Sequence, residues 1–460
     1  MVYEKIPEKW EGETDVIVIG AGNAGLPAAM TVKDRGGDVI VLEAWAGTAS
    51  SLAYIAGGIM FAGTPFQKGR GIDDSPEKMF KEAVAISKGD PALWAVLRDR
   101  VLETYEWIIG FGVPLVELWM APGHGEPRIH RFKGHGAGIL KAMRNRAEEK
   151  KIDIRSKHRA RRLVQDHGTG RIIGVAAEHD NKTLYFRARK GVIIATGGFI
   201  RSKEYVKEFG PSYVRCVPAA PPTHLGDGLR MAMAVGGATT DIGLAISPSI
   251  PICTTTNNTV IMWDQGAVGV NEDGRRWADE LGVPYSIRNA KLLRDHPDGV
   301  HFLVYDNHIR EEANSDDYKR CKEFHSDTLE GLAKELSIDP VAFAEEIKEY
   351  NYNIERHGYD VKHGRRYWGG LKGKQRVPKI EEPPFWAIKC KVSLTSCKGG
   401  LKINPKGQVI DQMGDVISGL FAAGEVCGGF YGEPDAYYPG GMAISAFVFG
   451  RVTGEQVMWE

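Results

Sequence analysis

Three apolar stretches near the start of the chain predict a strand–helix–strand unit. Residues Asp15–Ile19 form a short β-branched run, as expected for a buried parallel strand. A helical pattern follows over Leu26–Arg35, and a second apolar run over Asp38–Leu42 ends at Glu43. Because two parallel strands need a crossover between them, this order predicts a βαβ unit of an α/β domain.

Later apolar patterns predict further elements. Gly191–Ile194 has the pattern of a strand, and Ser326–Tyr350 has the apolar periodicity of helices. The acidic and proline-rich segment Glu381–Pro384 is typical of a linker. Near the end, Gly419–Glu425 and Ala443–Met458 indicate a strand, a loop and a final helix.

The loop between the first strand and the first helix carries a dinucleotide-binding motif. Gly20, Gly22 and Gly25 form a GxGxxG, and Glu43 follows 18 residues after Gly25. In a βαβ unit such glycines allow a tight turn and let a pyrophosphate approach the free N–H groups of the helix. A carboxylate at the end of the second strand accepts hydrogen bonds from ribose hydroxyls. An ordinary βαβ unit without a nucleotide is the alternative.

Composition narrows the class of protein. The 460 residues are 43% hydrophobic, and 59 Lys+Arg balance 59 Asp+Glu, so no basic field favours nucleic acid. The six cysteines include no CxxC pair, which argues against a metal or iron–sulfur site. The sequence contains neither an apolar run of roughly 20 residues nor a signal peptide pattern. We expect a cytoplasmic protein with no metal, no nucleic-acid partner and no integral membrane segment, and the oligomeric state stays open.

Further segments rich in small residues favour FAD over NAD. The loops Ala46–Ser51 and Ala56–Met60 could wrap a long cofactor. The strand at 191–194 leads into Ala195–Gly198, and Thr223–Gly228 is a third landmark. In this order the landmarks resemble the FAD-binding domain of the fumarate reductase and succinate dehydrogenase flavoprotein superfamily, over nearly the whole chain.

This resemblance implies an α/β architecture and FAD as the cofactor. A discontinuous, Rossmann-like FAD-binding domain would cover 1–240 and 385–460, and an inserted α+β capping or substrate domain would cover 245–375. The motifs and the resemblance together assign to the FAD site Gly20, Ala21, Gly22, Ala24, Gly25, Glu43, Ala44, Ala49, Ser50, Ser51, Gly57, Gly58, Ala160, Ala195, Thr196, Gly197, Asp227, Gly424, Glu425, Ala443 and Ile444.

The substrate side departs from the pattern of a dicarboxylate enzyme at three places. Val270–Glu280 resembles a superfamily segment after which fumarate reductases place a proton-donating arginine, and this chain has Pro284 and Tyr285 there. Ser396 stands where fumarate reductases carry a histidine. Tyr438 stands where an arginine would fork onto a carboxylate, and a phenol suits a neutral carbonyl instead.

The same places resemble the 3-ketosteroid dehydrogenases. Their Pro-Tyr, Lys-Gly-Gly-Leu and Tyr-Pro-Gly segments are similar to Pro284-Tyr285, Lys398–Leu401 and Tyr438–Gly440. Enzymes acting at the 1,2-bond continue with Pro-Gly, whereas this chain continues with Gly441. The resemblance therefore implies a cyclic or aryl ketone, or the corresponding enone, more than a steroid as such.

The resemblance also implies roles in desaturating a ketone, or in reducing an enone by the reverse reaction. Tyr438 and a backbone N–H near Gly441 would form an oxyanion hole, in which each donor is typically worth about 3–4 kcal/mol. Tyr285 would be the base at Cα, with Arg288 favouring its ionised form, and the hydride would pass to flavin N5. The alternatives are that Tyr285 only packs in the core and that Tyr437 replaces Tyr438. The implied substrate-binding residues are Tyr437, Arg288, Ser396, Lys398 and Gly440.

Two other functions stay open on the sequence. A fumarate- or urocanate-like reductase would need another cation for the carboxylate, such as Arg288 or Lys398. A flavin subunit that relays electrons within a complex would need a partner with its own redox centre. Each of the three functions requires an electron donor or acceptor that the sequence does not identify.

Overall fold

Helices and strands alternate along the described part of the chain, as in an α/β protein. The computed structural model describes residues 6–47, 50–54, 58–121, 123–243, 245–246, 249–251, 266–280, 282, 285–313, 318, 321–368, 375–433 and 436–460. The α-helices are Gly25–Asp34, Ser51–Tyr54, Pro65–Lys68, Pro76–Ser87, Pro91–Ile109, His135–Glu149, Lys203–Phe209, Asp227–Ala234, Tyr285–Asp295, Asn307–Glu312, Leu329–Leu336, Pro340–His357 and Gly441–Gln456. The strands are Gly12–Ile19, Val39–Glu43, Gly58–Met60, Leu115–Trp119, Ile129–Phe132, Asp153–Ser156, Arg159–Gln165, Ile172–His179, Lys182–Ile194, Val217–Pro218, Thr239–Thr240, Ala245–Ile246, Ser249–Pro251, Val268–Asn271, Val300–Tyr305, Glu323–Ser326, Tyr367–Trp368, Gln375–Arg376, Phe385–Leu394, Ser396–Cys397, Gly400–Leu401, Gln408–Ile410 and Val416–Ala422.

A sheet with a parallel centre contains the predicted βαβ unit. Gly12–Ile19 lies between Val39–Glu43 and Lys182–Ile194, and the three strands run parallel. Asp153–Ser156 extends the parallel order on one side and Val416–Ala422 extends it on the other. Buried parallel strands need apolar side chains on both faces, which explains the continuous β-branched runs in the sequence. The prediction of an α/β, Rossmann-like fold is confirmed.

The first and last helices of the chain pack against each other. Gly441–Gln456 is apolar around most of its circumference, and 12 of its 16 residues are buried. A Cβ at Gly454 would lie 2.5 Å from the Ala28 carbonyl oxygen, and a Cβ at Gly450 would collide with the carbonyl oxygen of Ala24. These two glycines therefore let the backbone of the last helix approach that of Gly25–Asp34 closely.

A second sheet occupies the middle of the chain. Phe385–Leu394 pairs antiparallel with Val300–Tyr305, Ser249–Pro251 and Glu323–Ser326. Val268–Asn271 pairs with Val300–Tyr305 at the edge. The second part of the FAD-binding domain was predicted to begin at residue 385. The strand that begins at this residue is hydrogen-bonded into the sheet of the middle region. The division into domains stays a prediction.

The helix Pro91–Ile109 packs against the final helix on one side and against Pro76–Ser87 on another. Pro76–Ser87 and Pro91–Ile109 begin after the N-caps Ser75 and Asp90, whose side chains accept backbone N–H groups of the first turn. Proline at the first helical position suits this arrangement, since its missing N–H would have no partner there. Among the described helices, none is long and apolar enough to cross a bilayer.

Candidate active site

The three glycines of the GxGxxG have different surroundings. Gly20 has φ +106, and a Cβ there would collide with the carbonyl oxygen of Ala195 on the neighbouring strand connection. A Cβ at Gly25 would collide with the carbonyl oxygen of Gly20. At Gly22 the nearest atom to a Cβ would be Ser50 Oγ, 3.9 Å away. Two of the glycines are thus required by the turn itself, and the third borders open space.

Glu43 ends the second strand and closes this turn. Its Oε2 accepts the Ala21 N–H at 2.8 Å, and its Oε1 accepts the Trp45 N–H at 2.8 Å. Burial raises the pKa of Glu43 above its ordinary value, against the opposing effect of these backbone hydrogen bonds. The carboxylate is therefore held rigidly at the mouth of the turn.

A cleft with about 950 Å³ of empty space, partly open to solvent, runs along the turn. Its lining includes these residues predicted for the FAD site: Gly20, Gly22, Ala24, Glu43, Ala44, Ser50, Ser51, Ala160, Ala195, Thr196, Gly197, Asp227, Gly424, Glu425 and Ala443. Ala21, Gly25 and Ile444 are chain neighbours of lining residues, whereas Gly58 is not part of the lining and packs against the side chain of Ile129. Ala49 and Gly57 lie outside the described residues.

Several residues of the cleft wall were not predicted from the sequence. Arg159 pairs with Asp227 through Nε–Oδ2 at 2.7 Å and Nη2–Oδ1 at 3.0 Å. His158 lies beside Arg159 in the chain, and His224 lines the cleft next to Ser51. Each of these residues lies in or within a few positions of a segment that the sequence assigned to the cofactor. This proximity in the chain could have identified them.

Three observations show that these residues fit FAD. At Gly22 the cleft leaves room beside the backbone, since no protein atom lies closer than 3.9 Å to a Cβ there. The hydroxyl of Thr196 and Nδ1 of His224 are both buried and have no hydrogen-bond partner among the described residues. Buried polar groups are normally paired, so such atoms in a cleft wall point to a ligand rich in hydroxyl and phosphate groups.

Tyr438 lies in a buried polar cluster with Arg128 and Glu82. Its hydroxyl accepts from Arg128 Nη1 at 2.6 Å and donates to Glu82 Oε1 at 2.7 Å. Asp74 holds Arg128 from the other side, with both carboxylate oxygens within 2.9 Å of guanidinium nitrogens. The His124 ring stacks on the Tyr438 ring at 4.1 Å between centroids. The hydroxyl is therefore fully engaged by protein groups in this arrangement.

Burial keeps the phenol of Tyr438 protonated. Burial raises the pKa of Tyr438 well above its usual range, Arg128 lowers it in part, and Glu82 raises it further. Burial lowers the pKa of His124 to about 3, so this ring adds no positive charge at neutral pH. Tyr438 is thus suited to donate a hydrogen bond and poorly suited to act as a base.

The turn at Tyr438 also fixes the start of the last helix. The carbonyl oxygen of Tyr438 accepts from the Tyr431 hydroxyl at 3.1 Å and from the Gly441 N–H at 3.1 Å. Gly440 precedes the helix with φ 80. Burial raises the pKa of Tyr437, whose ring lies 5.8 Å from that of Tyr431, to about 12.

The remaining predicted substrate residues are spread over several elements. Ser396 lines the cleft. Lys398 is buried, with Nζ 3.0 Å from the carbonyl oxygen of Ala436, and Arg288 is buried, with Nη1 2.6 Å from the carbonyl oxygen of Glu280. Tyr285 begins the helix Tyr285–Asp295, but its side chain and Pro284 lie outside the described residues.

A comparison with protein families decides the class of the chain. The family described as "FAD binding domain" matches residues 15–441. The chain belongs to this FAD-binding family. The predictions of FAD as cofactor and of an FAD-dependent oxidoreductase of the fumarate reductase superfamily are therefore confirmed, as is action on CH–CH groups at the level of the family.

Proteins named for different substrates are similar to the chain. A fumarate reductase (cytochrome) of Shewanella frigidimarina is 30% identical over 452 residues, which cover 96% of this chain and 76% of the relative. A vinyl phenol reductase of Lactiplantibacillus plantarum is 26% identical, covering 96% and 95% of the two chains. The structure of 3-ketosteroid-Δ4-(5α)-dehydrogenase from Rhodococcus jostii RHA1 with 4-androstene-3,17-dione has a TM-score of 0.77 and 25% identity, covering 99% of each chain.

Proposed function

We propose that the protein desaturates a neutral ketone at its α,β-bond, or reduces the corresponding enone. The observation that carries this proposal is the environment of Tyr438, a protonated phenol where the resemblance would place a guanidinium for a dicarboxylate. Arg128, the guanidinium next to Tyr438, is held by Asp74 and Glu82, so its charge is already compensated. A neutral cyclic or aryl carbonyl suits a phenol donor better than a carboxylate does.

The chain's own residues would supply polarisation and proton transfer. Bound FAD supplies the hydride acceptor or donor. Tyr438 would donate to the substrate oxygen as negative charge develops there, and this donation competes with its hydrogen bond to Glu82. Arg128 stays within 2.6 Å of the phenol oxygen and would strengthen that donor. Tyr285 as the base at Cα remains part of the proposal.

A reductase of an unsaturated carboxylate is the second candidate. It is favoured by the 30% identity with a fumarate reductase and by two buried cations, Arg288 and Lys398, near the predicted substrate segments. Arg288 Nη1 donates to the carbonyl oxygen of Glu280, and Lys398 Nζ donates to that of Ala436. This candidate assigns the substrate carboxylate to one of these two cations.

Reoxidation of the reduced flavin distinguishes these functions. The purified protein is reduced anaerobically with dithionite and mixed with cyclic enones, a vinyl phenol, fumarate and urocanate, while flavin absorbance is followed. We expect fast reoxidation by a cyclic enone and none by the two carboxylates, whereas reoxidation by the vinyl phenol alone would contradict a carbonyl substrate. Fast reoxidation by fumarate or urocanate alone would establish the second candidate instead.

An electron-relay subunit is a third possibility, and the same preparation tests it. The isolated chain is mixed with ketones and an artificial electron acceptor. Multiple turnovers under these conditions would exclude a relay that needs a partner chain for chemistry. A flavin that exchanges electrons with dyes but with none of the organic substrates would support the relay.

A further inference from the structure

Ser51, His224 and Glu425 form a buried cluster in the wall of the FAD cleft. Ser51 Oγ donates to Glu425 Oε2 at 2.7 Å, and His224 Nε2 lies 3.4 Å from Ser51 Oγ. Glu425 Oε1 accepts the Cys397 N–H at 3.0 Å. His224 is 5% exposed, and a Cβ at Gly197 would collide with its ring, so the imidazole is tightly enclosed.

The contacts of this cluster determine the tautomer of His224. Because the Ser51 proton is directed to the Glu425 carboxylate, the Ser51 oxygen can only accept from the ring, which places a hydrogen on Nε2. Burial lowers the pKa of His224, opposed by Glu425 and reinforced by Arg201, so the ring is neutral and Nδ1 carries a lone pair. That Nδ1 is 3.9 Å from Glu425 Oε2 and has no hydrogen-bond partner among the described residues.

A buried acceptor without a donor indicates a ligand that brings one. Phosphate oxygens are acceptors only, so they do not satisfy a lone pair on nitrogen. Hydroxyl groups do, and FAD has them on the adenosine ribose and on the ribityl chain. Glu43, at the end of the second strand, lies on the side of the glycine turn that binds the adenosine ribose. His224 instead contacts Ser51 and Glu425, and Glu425 lies in the connection between a strand and the last helix.

We propose that His224 is an FAD-binding residue of this chain and that its Nδ1 accepts a hydrogen bond from a ribityl hydroxyl. Ser51 and Glu425 then act as positioning residues, since they fix the ring in the tautomer that leaves Nδ1 free. The interaction adds to the affinity for the flavin half of the cofactor and is independent of which substrate the enzyme uses.

Two substitutions of His224 separate the two ring nitrogens. His224→Asn places an amide oxygen the same number of bonds from Cβ as Nδ1, and His224→Gln places an amide group at the distance of Nε2. FAD is removed from each purified holoprotein and titrated back while flavin fluorescence is measured. We expect His224→Gln to raise the Kd for FAD roughly 3- to 10-fold, as for the loss of one hydrogen bond, and His224→Asn to retain most of the affinity.

Cofactor analogues then test which FAD group is recognised. The same titrations are made with FAD analogues that lack one ribityl hydroxyl each. For one analogue, we expect wild type and His224→Gln to have equal Kd values, because the partner of Nδ1 is missing. Equal Kd values of the variants and the wild type for FAD itself would overturn the proposal. A loss in His224→Gln that persists with every analogue and also appears in the Kd for ADP would overturn it too, since that pattern locates the contact in the adenosine diphosphate half of FAD.

Thermal unfolding of the flavin-free proteins serves as the control for folding. Both variants should unfold within a few degrees of the wild type, because the proposal assigns Nδ1 no protein partner. The contrary result is a lower unfolding temperature in both variants, with an FAD affinity of His224→Gln that falls only in proportion to it. In that case His224 would have a structural role and the proposal would be wrong.

Discussion

At the scale of single residues, the glycines of one motif serve two separate purposes. Gly20 and Gly25 allow two backbone segments to meet within the protein, whereas Gly22 borders the cleft. A methyl group therefore has opposite consequences at these positions. At Gly25 it would destabilise the folded chain, and at Gly22 it would hinder only the binding of the ligand.

We predict that Gly22→Ala folds normally but binds FAD poorly. The new Cβ would be 3.9 Å from Ser50 Oγ, an ordinary contact, so stability without flavin should change by no more than about 0.5 kcal/mol. The Kd for FAD should rise roughly tenfold or more, about 1.4 kcal/mol. Fluorescence titration and thermal unfolding measure the two quantities.

Gly25→Ala is the matched comparison. Its Cβ would collide with the backbone of Gly20. The free energy of unfolding of the flavin-free protein should therefore be about 1–3 kcal/mol lower than in the wild type. Equal stability of the two variants would contradict this division of roles.

Tyr438→Phe should lower the rate of the chemical step and leave the cofactor in place. Loss of one oxyanion donor typically reduces kcat by about 10²–10³. Arg128 retains Asp74 and Glu82 as partners, so the cluster keeps its charge balance. Single-turnover reduction of the flavin by a ketone measures the rate, and the flavin-to-protein absorbance ratio measures FAD content. Tyr437→Phe is the control, and an equal loss in both variants would contradict the assignment to Tyr438.

The sequence was sufficient for some residues of the site and insufficient for others. The glycine turn and Glu43 were predictable, because a local spacing within a βαβ unit determines them. The partners of Tyr438 were not predictable, since Arg128 is 310 and Glu82 is 356 positions away from it in the chain. His224 lies within the landmark Thr223–Gly228, but its role was not predictable, because its contacts Ser51 and Glu425 are distant in the chain.

At the scale of elements, a buried ionic cluster joins the middle sheet to a loop. Glu280 accepts from Arg276 and Arg365, and its Oε1 also accepts the Gly269 N–H of the strand Val268–Asn271. Asp360 pairs with Arg276 at 2.8 Å. Burial would raise the pKa of Glu280, but the two arginines outweigh it and lower the pKa to about 2.

This shift predicts an acid-sensitive middle region. The pKa of Glu280 in the folded chain is below its ordinary value of 4.5, so the stabilisation is complete above pH 4.5 and is lost as the pH falls towards 2. The difference corresponds to about 3 kcal/mol. Denaturant unfolding between pH 2 and 7, followed by far-UV circular dichroism, should show this loss.

Glu280→Gln tests the assignment to this carboxylate. The variant should be less stable at pH 7 by about 3–5 kcal/mol, because Arg276 and Arg365 lose their shared partner. Its stability should also vary less between pH 4.5 and 2. Asp38→Asn removes one partner of the exposed pair Lys33–Asp38 and should change neither property measurably. An unchanged pH dependence in Glu280→Gln would exclude Glu280 as its source.

The elements themselves were predicted with unequal success. The final helix was expected at 443–458 and forms at Gly441–Gln456, since its apolar residues and preceding glycines define it locally. The pairing of Phe385–Leu394 with the middle sheet was not predictable, because the linker pattern at 381–384 gives no information about strand partners.

At the scale of the whole molecule, the FAD cleft is built from distant parts of the chain. Its wall includes Gly22, Ala195, His224 and Glu425, so bound FAD contacts segments separated by about 400 residues. We predict that FAD at 100 times its Kd raises the unfolding midpoint by about 3 °C, which corresponds to about 2.7 kcal/mol for a chain of 460 residues. Differential scanning calorimetry of flavin-free protein with and without FAD measures the shift. No shift in the wild type, or the same shift in Gly22→Ala, would contradict the prediction.

The close packing of the first and last helices has a consequence for synthesis on the ribosome. Helix Gly25–Asp34 emerges early, but Gly450 and Gly454, which let the partner backbone approach it, are translated more than 400 residues later. At typical elongation rates of about 5–20 residues per second, the interval is roughly 20–80 s. During that time the apolar face of the nascent helix has no native cover, so the N-terminal βαβ unit completes its packing only after the C-terminal segment has left the exit tunnel.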